Sequence, residues 1–96
     1  MTNEIQQILD RLGMARLNQM QLDTYREVTG TDADVVVVSP TGSGKTLAYM
    51  LPLAGMIDVS SDAVQAVVIV PNRELALQSA EVMGRFGLHI RTVCCY

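Results

Sequence analysis

The sequence has no basic surplus: 7 Lys and Arg stand against 10 Asp and Glu, for a formal net charge of −3. That excludes a basic field that would drive nonspecific binding to nucleic acid, so any such contact must be local. Cysteine is scarce, with only Cys94 and Cys95, which are adjacent. They cannot build a disulfide framework, they are too few for a zinc site, and they fit a reducing cytoplasm. There is no long hydrophobic run either. The longest, residues 48–57, falls well short of the roughly 20 apolar residues that span a bilayer, and Met1, Thr2, Asn3 and Glu4 offer no basic leader. These features predict a cytoplasmic protein that neither crosses a membrane nor is exported. Repeats and low-complexity tracts are absent, which reads as one continuous unit.

What is present is a globular composition, 49% apolar and 18% charged over 96 residues. A compact fold of this size exposes about 5,400 Å², against about 15,000 Å² unfolded, so one thin core is within reach. Ile5, Ile8, Leu9 and Leu12 recur at helical spacing and Gly13 follows as a stop. Asn18 is placed to cap a second helix over residues 19–28, with Met20, Tyr25 and Val28 expected on its buried side and Gly30 closing it. Val35, Val36, Val37 and Val38 form a β-branched run without polar alternation, the pattern of a strand covered on both faces. A largely apolar helix is expected over residues 45–57, kinked or shortened by Pro52, then a second strand over 66–70 stopped by Pro71. A helix over 73–83 and a third strand over 90–96 complete the order, the signature of a βαβ crossover sheet.

Between the first strand and its helix lies Ser39-Pro40-Thr41-Gly42-Ser43-Gly44-Lys45-Thr46. Gly42 and Gly44 permit backbone conformations closed to other residues, so successive N–H groups can turn inward around an anion. The helix that follows adds its positive end. Thr41, Gly42, Ser43, Gly44, Lys45 and Thr46 are therefore expected to bind nucleotide phosphates, with Lys45 reaching the β- and γ-phosphates and the Thr46 hydroxyl placed on Mg²⁺. Lys45 is the only lysine in the chain. The bland alternative is a glycine-rich turn that binds nothing.

The loop, continued by Leu47-Ala48-Tyr49-Met50-Leu51-Pro52 and paired with Pro71-Asn72-Arg73-Glu74-Leu75-Ala76 on the next strand, resembles the DEAD-box branch of superfamily 2 RNA helicases. Ser39 stands where that family usually has Ala, and Asn72 where it usually has Thr. The resemblance implies RNA-backbone contacts by Arg73 and Asn72. The bland reading of the same stretch is a helix start capped by Asn72, with Glu74 in its first turn. Leu17-Asn18-Gln19-Met20-Gln21 is similar to the family's Q motif, which puts Gln21 at the adenine-reading position; no aromatic residue precedes Tyr25. Solvated helix positions are the plain alternative for Gln19 and Gln21.

The resemblance implies an α/β fold: a partial RecA-like (P-loop NTPase) three-layer parallel sheet with flanking helices. Residues 1–96 would form the N-terminal part of the first RecA-like domain, divided into a Q-motif-like helical region, 1–30, and a βαβαβ unit, 31–96. ATP or ADP, Mg²⁺ and RNA are the implied ligands. No Asp-Glu-Ala-Asp or Ser-Ala-Thr string occurs, so the chain reads as a helicase fragment that itself neither hydrolyses ATP nor unwinds RNA. In that family's sheet the first two strands here are separated by strands from later in the sequence. Exposed strand edges would then make the chain a candidate for strand exchange or homo-oligomerisation. A RecQ-like DNA helicase and a noncatalytic nucleotide-binding module are the alternative readings. His89 reads as a surface residue, Cys94 and Cys95 as small buried hydrophobes, the methionines as packing, and Asp32 and Asp34 as turn residues.

Overall fold

The computed structural model describes residues 3–95. Met1 and Thr2, read above for a leader, and Tyr96 of the expected third strand lie outside it. Four helices succeed one another: α1 (Asn3–Arg11), α2 (Gln19–Gly30), α3 (Lys45–Met56) and α4 (Arg73–Arg85). Each lies where the apolar periodicity placed it. Asn18 caps α2 through a reciprocal box, its side chain accepting from Gln21 N while Gln21 accepts from Asn18 N. α3 runs through Pro52 rather than ending there, with the pyrrolidine ring buried in the core.

The expected three-layer parallel sheet is not there. Among the described residues no backbone ladder joins any two segments, and residues 35–38, 66–70 and 90–95 are extended chain outside any strand. The reason is physical. β-branched runs favour extended backbone, but a strand exists only when a neighbour accepts and donates its backbone hydrogen bonds. These segments find no such neighbour, and Val36, Val38, Val67, Ile69 and Val93 face solvent. The accessible surface is accordingly 7021 Å², well above the value of about 5,400 Å² for a compact chain of this mass.

The core is helical. Ile5, Ile8 and Leu9 of α1 join Leu17, then Met50, Leu51 and Ala54 of α3, and Met83 with Phe86 at the end of α4. α3 is central, contacting α2 on one side and α4 on the other. α2 departs from expectation on its inner face: Gln21 and Thr24 are its buried residues, whereas Met20, Tyr25 and Val28 are only half-buried. Thr24 satisfies its hydroxyl on Met20 O at 2.8 Å. At the far end, the Arg11 guanidinium lies over Gly87, whose φ is +69°; a Cβ there would fall 2.7 Å from Cζ and Nη1. Cys95 is exposed and Cys94 half-buried, its thiol 3.6 Å from Ala76 O, which corrects the expectation of two buried residues. Among the described residues no helix is long and apolar enough to cross a membrane.

Candidate phosphate-binding loop

Residues 39–44 connect extended chain to α3. Ser43 N donates to Pro40 O at 3.2 Å and closes the first turn. Gly42 and Gly44 take φ of +84° and +89°, in the left-handed region that glycine alone enters freely. Gly44 is also the N-cap of α3 and supplies no side chain to it, so the first N–H groups of that helix face the loop uncapped by any side chain. Space at Gly44 is closed on the α2 side, because a Cβ would sit 2.5 Å from Gln21 Nε2. Lys45, exposed, turns its Nζ back to donate to Ser39 O at 2.8 Å, and the Ser39 and Ser43 hydroxyls share a hydrogen bond of 2.6 Å.

The start of α2 is tied to this loop. Asn18 Nδ2 donates to Ser43 O at 3.0 Å, and Gln21 Nε2 donates to Gly44 O at 3.2 Å. With its Oε1 accepting from Asn18 N at 2.9 Å, the Gln21 amide is engaged at both ends. It is 3% exposed, so it is not a solvated helix position. An open groove of about 420 Å³ runs beside it, lined by Arg16, Leu17, Asn18, Gln19 and Leu22. Sequence reasoning identified Asn18 as a cap but missed its second role as a tether. That tether reaches a residue 25 positions away, so no local spacing signals it.

A second hollow, about 330 Å³, brings the loop and the downstream motif together: Lys45 and Thr46 line it with Val70, Leu75 and Ser79. Tyr49 Oη and Ser79 Oγ meet beside it at 3.2 Å. Asn72 caps α4, its Oδ1 accepting from Leu75 N at 2.9 Å, and Arg73 follows it, exposed. His89 is exposed, with φ of +56°. Among the described residues no group of three or more His, Cys, Asp or Glu could hold a metal. Thr46 fits Mg²⁺ as a single hydroxyl ligand, the usual protein share for an ion that keeps several waters and arrives with phosphates. Asp58 lies elsewhere, in the turn after α3, where the Ser60 hydroxyl and backbone N–H hold its carboxyl below its ordinary value.

Comparison with known proteins decides the family. The DEAD/DEAH box helicase family matches residues 18–96, from the α2 cap onward. The chain belongs to that family. ATP-dependent RNA helicase DeaD of Mycobacterium tuberculosis is 50% identical over 58 residues, covering 60% of this chain and 10% of the relative. ATP-dependent rRNA helicase SPB4 of Encephalitozoon cuniculi is 40% identical over 92 residues, covering 92% of this chain and 20% of the relative. DEAD-box ATP-dependent RNA helicase CshA of Geobacillus kaustophilus is 32% identical over 87 residues, 91% and 18% respectively. The chain thus spans a small part of the DEAD-box relatives it matches. No solved structure matches. The RecQ-like DNA helicase alternative is not favoured, since these relatives carry RNA helicase names.

Proposed function

We propose that residues 41–46 bind ATP or ADP by its phosphates, as the nucleotide-binding element of a cytoplasmic ATP-dependent RNA helicase. The observation that carries this reading is the pair of left-handed glycines, Gly42 and Gly44, which deliver the chain onto the uncapped start of α3 beside the only lysine. Thr41, Gly42, Ser43, Gly44 and Lys45 surround the phosphates, Lys45 as a point charge. Thr46 ligates the Mg²⁺ that accompanies them. Gln21 reads adenine, which requires its Nε2 to exchange Gly44 O for the base, an amide–adenine pairing of known geometry. Arg73 meets the RNA backbone; Asn72 contributes less, because its Oδ1 is committed to the α4 cap.

With no Asp-Glu-Ala-Asp string among its 96 residues, the chain by itself holds nucleotide without turning it over or unwinding RNA. Calorimetric titration with Mg-ADP and Mg-ATP tests this, with Lys45→Ala as control. Binding that disappears in the variant supports the reading; equal binding by the variant overturns it, and ATP turnover lost in Lys45→Ala overturns the inactivity. Self-association has its own support. The surface in excess of a compact monomer, about 1,600 Å² per chain, is about twice the roughly 800 Å² that each partner buries in a standard-sized interface, and Val36, Val38, Val67 and Ile69 are exposed on it. A second copy of the chain is the proposed occupant.

A further inference from the structure

The loop is held shut from its first residue. Ser39 holds two groups of the loop: its hydroxyl is 2.6 Å from the Ser43 hydroxyl across the loop, and its carbonyl accepts from Lys45 Nζ at 2.8 Å. The first distance is at the short end of the range for neutral hydroxyls, and both partners are half-buried, so water competes little for the bond. Ser43 is in turn anchored on both backbone groups, by Pro40 O and Asn18 Nδ2. The Ser39 hydroxyl is therefore bonded to a residue whose backbone is held on both sides.

We propose that the Ser39 side chain is a positioning residue that latches the loop through Ser43 and lowers its affinity for nucleotide phosphate. The inference rests on the nucleotide reading for its affinity arm alone. Only the unlatched fraction is competent to bind, and apparent affinity falls in proportion to that fraction. The Lys45 bond goes to the backbone carbonyl and survives Ser39→Ala, so removing the hydroxyl isolates the latch. A net hydrogen bond of this class corresponds to about a 2- to 10-fold change.

The experiment is a double-mutant cycle of Ser39→Ala and Ser43→Ala, with Ser39→Thr as the variant that keeps a hydroxyl. Amide exchange at Gly42, Ser43 and Gly44 is read without nucleotide, and Mg-ADP affinity by calorimetry. Exchange faster by about 2- to 10-fold in either single variant, no faster in the double, and near wild type in Ser39→Thr supports the latch. Tighter Mg-ADP binding by Ser39→Ala, within the same range, completes it. Additive or absent effects on exchange overturn the proposal, as does weaker binding by Ser39→Ala, which would mean that the hydroxyl contacts phosphate instead. If wild type and Ser39→Ala both ignore Mg-ADP, the nucleotide reading and the affinity arm fall together while the exchange cycle still decides the latch. Should Ser39→Ala not fold, Ser43→Ala breaks the same bond from the other side.

Discussion

Two apolar stretches of this chain have opposite fates. In α3, Leu51 is 1% exposed and Ala48, Met50 and Ala54 are buried with it; in residues 35–38, Val38 is 92% exposed. Hydrophobicity does not separate them. A helix closes its backbone hydrogen bonds within itself and can then offer a finished apolar face to the core. An extended segment must borrow its partners from elsewhere in the sequence. Apolar content sets what burial would gain, and backbone hydrogen bonding sets whether burial can happen.

The contrast can be broken from the helical side first. Phe86→Ala removes a side chain that is 1% exposed, and urea denaturation should show a loss of about 3–5 kcal/mol. Gly44→Ala strains a left-handed φ and drives a methyl at Gln21 Nε2; a loss of about 1–3 kcal/mol is expected by the same measurement. Asn18→Ala removes the α2 cap and the tether to Ser43 O, for about 1 kcal/mol. On the extended side, Val36→Ser combined with Val38→Ser should change monomer stability by no more than about 0.5 kcal/mol. The same variant should weaken self-association in sedimentation runs across a concentration series. A wild-type chain that stays monomeric throughout would remove the proposed partner.

The smallest effect is on pH. The Asp58 carboxyl is held below its ordinary value by Ser60, so its contribution to the turn is complete above the ordinary carboxyl range and fades as pH falls through the lowered value. Asp58→Asn should flatten that acid limb slightly in a pH series of thermal melts. A steeper limb would mean that the carboxylate is not the stabilised form.

Helices, caps and the loop were legible because their causes are local. Asn18, Gly44 and Asn72 act within one turn of their own positions, and the loop's glycines announce its backbone. The sheet was misread because residues 35–38 and 66–70 encode extended backbone but not a partner. The buried face of α2 was misplaced onto Met20, Tyr25 and Val28 for a related reason. A polar side chain can be buried wherever its hydrogen bonds are met, and the acceptor for Gln21 is Gly44 O, in the loop before another helix. The residues proposed to meet nucleotide gather at the start of α3 as a consequence: Gln21 reaches it from α2, Lys45 and Thr46 belong to it, and Leu75 of α4 lines the same hollow as Lys45 and Thr46.

The union of α1 with Phe86, and of Arg11 with Gly87, joins segments about 75 residues apart in the sequence. In the order of synthesis, Ile5, Ile8 and Leu9 precede Phe86 by about 80 residues. At ribosomal rates of 5–20 residues per second, α1 waits roughly 4–15 s for Phe86. During that interval its apolar stripe has only part of its cover, from Leu17 and then from Met50, Leu51 and Ala54. The cover over α1 is therefore complete only once the end of α4 has been made.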